Sequence, residues 1–168
     1  MECFFQKIIP NKTEGHFNEK TVGISVPCGK CLACLERKRN TWSYRLEYEL
    51  KSHYFATFVT LTYSDENLPK DLSVSRRELQ LFIKLLRFHL KKPIRYYAIG
   101  EYGTKYGRPH YHLIIYGLHH ILDAKLVQDV WKKGHTLCID ANPKTINYIT
   151  KYHIIGKNAK EGLTPPFL

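Results

Sequence analysis

The chain has 168 residues, enough for one domain with a proper core, and a hydrophobic share of 43% excludes a disordered polymer. No apolar run approaches the ~20 residues of a membrane-spanning helix, and the first residues lack the shape of a secretory signal, so an intracellular protein with no membrane partner is expected. Lysine and arginine number 26 against 15 acidic residues, and the formal charge of +11 points to a polyanion whose phosphates would release counterions on binding.

In chain order, residues 1–27 read as polar and irregular, with turn-prone Asn11-Lys12 and Glu14-Gly15. Cys28-Gly29-Lys30-Cys31-Leu32-Ala33-Cys34 follows. Three cysteines at this spacing suit a metal site better than core packing, and Cys3 is the candidate fourth ligand of a tetrahedral zinc. Iron–sulfur clusters use similar spacing, but no further cysteine follows at the ferredoxin interval. The expected role is structural, tying a weakly apolar N-terminal segment to the next helix. Leu35, Trp42, Leu46 and Leu50 recur at near-helical spacing and predict that helix over 32–53, with Arg37, Lys38, Arg39 and Arg45 on its polar face.

Residues 55–63, dense in β-branched and aromatic side chains, predict a strand. Ser75 and Glu78 form a capping-box signature ahead of Leu79, Phe82, Ile83, Leu86 and Leu90, an amphipathic helix that Pro93 ends. Strands are predicted over 94–101 and 110–116, joined as an antiparallel hairpin with a long loop. A helix over 122–133 closed by Gly134 follows, then a strand over 135–140 that carries Cys138 as a core residue. Asn142-Pro143 starts a last helix, expected to run to about Ile155 and stop at Gly156. This order predicts an α+β fold, an antiparallel sheet with helices mainly on one face. The ending at Thr164-Pro165-Pro166-Phe167-Leu168 reads as an interruption, so a piece of a longer protein is expected.

The chemistry concentrates in two places. His110 and His112 alternate along a strand, so both imidazoles project from one face, and Glu101 sits at hairpin-pairing distance with matching parity. Two imidazoles and a carboxylate make a three-ligand site suited to Mn²⁺ or Mg²⁺, with positions left for water and a phosphate oxygen. An isolated H-x-H is more often a pair of ordinary strand histidines; Glu101 and the downstream tyrosines argue otherwise. Tyr148 and Tyr152 lie one helical turn apart with Lys151 beside them, a spacing that packing alone also produces. A polarised phosphate and a nearby ammonium would let a phenol attack a phosphodiester and keep the DNA end as a phosphotyrosine.

Assembled in order, these pieces resemble the replication initiators of the microviruses, especially the gokushovirus branch, within the HUH endonuclease superfamily. The resemblance is carried by Cys28-Gly29-Lys30-Cys31-x-x-Cys34, by Phe58-Val59-Thr60-Leu61-Thr62-Tyr63, by Gly100-Glu101-Tyr102-Gly103 with Arg108-Pro109-His110-Tyr111-His112, and by Tyr148-x-x-Lys151-Tyr152. It implies a ferredoxin- or RRM-like sheet with the histidines on a central strand. It divides the chain into 1–53, an N-terminal segment with the four-cysteine zinc site and basic helix, and 54–168, the nuclease core, packed as one unit. It further implies site-specific nicking of single-stranded origin DNA in the cytoplasm of an infected bacterium to start rolling-circle replication, with host helicase or polymerase as further partners. Tyr148 corresponds to the nucleophile and Tyr152 to a second phenol, giving a 5′-phosphotyrosine and a free 3′-OH. Lys151 would steady the phosphate or position metal and DNA. Arg37, Lys38, Arg39, Arg76, Arg77 and Arg108 are candidate phosphate contacts. Two other readings stay open at this point: an HUH transposase or relaxase, and a non-catalytic single-stranded nucleic-acid binding module.

Overall fold

Strands rich in Val, Ile, Thr and aromatics set the frame, since these side chains favour a pleated surface buried on both sides. The computed structural model describes residues 2–9, 23–155 and 162–167. Among them run β1 (Lys7–Ile9), β2 (Ile24–Val26), α1 (Leu32–Lys51), β3 (Ala56–Thr62), α2 (Arg76–Leu90), β4 (Arg95–Tyr102), β5 (Pro109–Tyr116), α3 (Ala124–Trp131), β6 (Thr136–Asp140), α4 (Pro143–Thr150) and α5 (Tyr152–Ile155). The main sheet has the order β4-β5-β3-β6 with every neighbouring pair antiparallel. The α+β, antiparallel expectation is met.

The distribution of helices differs from the expectation that they lie mainly on one face. Val59, Leu61, Leu113 and Ile115 pack under α2 and α3, whereas Phe58, Ile99, Ile114 and Tyr116 pack with Leu46 of α1 and Ile146 and Ile149 of α4. Helices therefore cover both faces. Strand alternation explains this: β3, β4 and β5 are apolar at odd and even positions alike, so each face needs its own cover.

Local signals decide most element ends. Ser75 caps α2 by accepting from the Glu78 amide, but the reciprocal half of the box is not made. The Ser75 amide instead donates to the Tyr111 hydroxyl at 2.8 Å, and the Glu78 carboxylate bonds Tyr63 and Lys133. The helix α3 is shorter than predicted and closes on Lys132 in the left-handed region (φ 53), not on Gly134. Gly134 serves a different purpose: a Cβ there would lie 2.3 Å from the Thr62 carbonyl oxygen. In α4, Asn142 accepts from the Lys144 and Thr145 amides, Thr145 reciprocates, and Pro143 occupies the first position.

The predicted single helix to Ile155 is interrupted at Lys151, where Ile154 N–H donates to the Lys151 carbonyl, and α5 begins at Tyr152. Gly156, like the Asn11-Lys12 and Glu14-Gly15 turns, lies outside the described residues. The N-terminal segment is not wholly irregular: β1 and β2 pair as an antiparallel ribbon. Phe167 exchanges two backbone hydrogen bonds with Gly100 on the β4 edge. No helix among the described residues is long and apolar enough to cross a membrane.

Candidate active site

The hairpin register sets Glu101 of β4 directly opposite His110 of β5, with His112 opposite Ile99. All three side chains emerge on the face shared with α1 and α4. Glu101 Oε1 lies 2.9 Å from His110 Nε2 and 2.8 Å from His112 Nε2, and one ligand atom from each residue falls within 4.8 Å of the others. The far nitrogens are held as well. His110 Nδ1 meets the Arg108 carbonyl at 3.1 Å, and His112 Nδ1 meets the Thr60 hydroxyl at 3.0 Å. Such outer bonds fix the tautomer and aim Nε2 inward, as metal-ligating histidines require.

Electrostatics prepares the same donors. Burial would raise the Glu101 carboxyl, but hydrogen bonds and charge from His110 and His112 outweigh it and hold the group below its ordinary range. Burial holds His112 below the ordinary imidazole value, against the pull of Glu101. A carboxylate and neutral imidazoles are the forms that ligate a divalent cation, so the donor set fits Mn²⁺ or Mg²⁺.

The tyrosines come from α4 and α5, laid over this cluster. Ile146 and Ile149 are fully buried, each anchoring α4 by about 1.5–3 kcal/mol, and Ser43 of α1 bonds the buried Thr150 hydroxyl at 2.9 Å. Tyr148 Oη stands 3.5 Å from His112 Nε2, and Tyr152 donates to Tyr148 across 3.3 Å. Tyr152 is pushed above the ordinary phenol range, chiefly by burial and then by its bond to Tyr148. Lys151 Nζ sits 3.9 Å from the Tyr148 ring centre and 5.0 Å from that of Tyr152. The break at Lys151 does not separate the phenols.

The four cysteines Cys3, Cys28, Cys31 and Cys34 also converge, their Sγ atoms within 4.8 Å of one another. Gly29 adopts φ 73, which tightens the turn so that the Lys30 and Cys31 amides donate to Cys28 Sγ at 3.4 and 3.3 Å. Those amides lower the Cys28 thiol to about 6, whereas burial raises Cys34 to about 12. Cys138 is half-buried against the core of the opposite face.

The basic candidates scatter. Arg37, Lys38 and Arg77 are exposed, and Arg39 is half-buried. Lys38 and Arg76 flank a cleft of about 330 Å³ that Tyr152 and His153 also line, with Arg76 stacked 4.9 Å above the Phe167 ring. Arg108 is engaged by Asp65 and the Tyr63 carbonyl. Three features have no counterpart in the sequence reading: Thr60, the Arg108 carbonyl, and a layer in which His153 stacks on Trp42 and bonds the Tyr97 hydroxyl at 2.8 Å. Strand register across β3 is the signal that could have found Thr60.

A family model for the replication-associated protein ORF2, or gene 2 protein, matches residues 56–158. The chain belongs to this family. The matched stretch contains Glu101, His110, His112, Tyr148, Lys151 and Tyr152, and leaves the four cysteines outside it. Replication-associated protein ORF4 of Chlamydia phage 1 is 28% identical over 161 residues, covering 83% of this chain and 40% of the relative. Replication-associated protein ORF2 of Spiroplasma virus 4 is 32% identical over 154 residues, covering 78% and 48%. Replication-associated protein VP4 of Bdellovibrio phage phiMH2K is 26% identical over 157 residues, covering 80% and 50%. These phage relatives and the family match bear out the resemblance to microvirus replication initiators. The chain spans about half the length of these curated relatives or less. No solved structure matches it significantly.

Proposed function

We propose that this chain carries the nicking centre of a phage replication initiator, which cleaves one strand at the origin and retains the DNA end on tyrosine. The observation that carries the reading is the approach of Tyr148 Oη to within 3.5 Å of a carboxylate–imidazole cluster whose three donors point at one place. Glu101, His110 and His112 would hold Mn²⁺ or Mg²⁺, which when bound supplies Lewis-acid polarisation of a phosphoryl oxygen.

Tyr148, 40% exposed and nearer the cluster, is the first nucleophile. Its oxygen forms the bond to phosphorus while the bond from phosphorus to the 3′-oxygen breaks. The phenolic proton leaves to solvent, and the departing oxygen takes one up to become a 3′-OH. The product is a 5′-phosphotyrosine. Tyr152, through its hydrogen bond to Tyr148, and the Lys151 ammonium over both rings stabilise the phenolate and the charge on the phosphate. Tyr152 then serves a second transfer while the first end is held. Lys38 and Arg76 are the best-placed of the basic candidates to meet phosphates, since both flank the cleft beside Tyr152. Zinc on the four cysteines is structural. The setting is the cytoplasm of an infected bacterium, with the host replication machinery extending the 3′-OH.

The test is adduct formation on a labelled single-stranded origin oligonucleotide with Mn²⁺. Wild-type protein should give a covalent protein–DNA band, Tyr148→Phe should lose at least ~100-fold of first cleavage, as removal of a covalent nucleophile predicts, and Tyr152→Phe should chiefly lose the second transfer. Equal adduct from wild type and the double Phe variant would remove the tyrosines from the reaction.

A further inference from the structure

We infer that the groove between α1 and β4 is a base-stacking subsite for single-stranded nucleic acid, one that rests on the nicking reading only for the identity of the strand it takes. The groove encloses about 620 Å³, and its lining includes Trp42, Tyr44, Arg45, Tyr48, Tyr96 and Tyr97. Trp42 and Tyr97 lie 5.2 Å apart in the tilted arrangement of packed rings. Tyr44 and Tyr48, on successive turns of α1, are 74% and 75% exposed. Neither ring is buried against the described residues, and water-exposed aromatics on adjoining turns are what a stacking platform presents.

Charge selects the occupant. Arg45 lies over the Trp42 ring at 5.3 Å, where a guanidinium can meet a phosphate while the ring meets a base. Glu49, the acid in the lining, is bridged to Arg95 at 2.9 Å and to His53 at 2.7 Å. An anionic chain with flat, apolar bases fits this mixture better than a neutral protein segment does.

The groove is also continuous with the proposed active site. Tyr97 and Glu101 project from the same face of β4, about 13 Å apart along the strand. Tyr97 and Trp42 both touch His153, the neighbour of Tyr152. A strand whose scissile phosphate lies at Tyr148 can lay a nearby base into the groove.

The chain has two tryptophans, and Trp131 is buried on the opposite face of the sheet. A Trp131→Phe protein therefore makes Trp42 the reporter. It is titrated with a short single-stranded oligonucleotide and with the same backbone carrying abasic sites, without divalent metal so that no cleavage intervenes. The base-bearing strand should quench Trp42 and the abasic strand should not. In otherwise wild-type protein, Tyr44→Ala/Tyr48→Ala should weaken binding read by anisotropy about 10- to 100-fold, while adduct formation with Mn²⁺ persists at saturating DNA. Strand binding that leaves Trp42 fluorescence and the double variant's affinity unchanged would overturn the inference. So would quenching that appears only with self-association in sedimentation, which would make the occupant a second copy. Quenching without any adduct would retain the subsite and sink the nicking reading instead.

Discussion

An imidazole becomes a defined ligand only when its far nitrogen is held, and here the two holders differ in kind. His110 leans on the Arg108 backbone, which side-chain substitution leaves in place, whereas His112 leans on the Thr60 hydroxyl. Thr60→Val keeps the branched shape and deletes the bond. It should raise the Mn²⁺ concentration for half-maximal adduct formation by roughly 10- to 100-fold, the usual cost of losing an outer-shell partner. The melting temperature should stay nearly constant, and an unchanged Mn²⁺ midpoint would show that Thr60 does not orient the ring. The ligands themselves were legible because H-x-H on a strand has a fixed parity and Glu101 has a fixed offset across a hairpin. Thr60 was not, because its contact crosses from β3 to β5, and that pairing follows from sheet order rather than from sequence distance.

At the level of elements, α5 bears a pH-sensitive contact of its own. Burial first, and the nearby Lys38 charge second, lower His153 to about 4 from an ordinary value near 6.5. It packs between the Trp42 ring and the Tyr97 hydroxyl, and its Nδ1 is buried without a hydrogen-bond partner among the described residues. The folded state therefore binds this proton less readily than the unfolded chain. Its contribution is complete above about pH 6.5, is lost as pH falls towards 4, and is flat below. Urea midpoints measured from pH 7 to pH 4 should fall less steeply for His153→Gln than for wild type; parallel slopes would exclude His153 as the titrating group. Element positions read well from capping and periodicity: α2 begins after Ser75 and α4 after Asn142, as their polar caps predict. What misled was tertiary competition. Glu78 leaves its cap for Tyr63 and Lys133, Gly134 yields the end of α3 to Lys132, and the apolar stripe of α1 carries no information on which face of the sheet it covers. The ribbon of β1 and β2 escaped notice because Lys7-Ile8-Ile9 has no alternation to read.

Across the whole molecule, the cysteine cluster and the tyrosine site are mechanically linked through α1. Cys31 caps that helix at its start, Cys34 lies in its first turns, and Cys3 ties in the N-terminal segment. Further along the same helix, Ser43 bonds Thr150 of α4, two residues past Tyr148. Zinc bound to four thiolates closes the chain between Cys3 and Cys28, and closing a loop of that length restrains the unfolded state by about 3–4 kcal/mol. At roughly 2–4 °C per kcal/mol for a domain of this size, Cys28→Ser/Cys31→Ser should lower the melting temperature by about 6–16 °C. The apolar core on both faces of the sheet does not depend on the cluster, so the variant should remain folded, unlike a small zinc finger stripped of metal. Elemental analysis should find one zinc per wild-type chain and none in the variant. Adduct formation should fall with the loosened α1 even when Mn²⁺ is saturating, because the defect lies in holding the tyrosines over the phosphate and not in the catalytic ligands. A variant without zinc that melts with the wild type would cut this link and leave the four thiols as unligated neighbours.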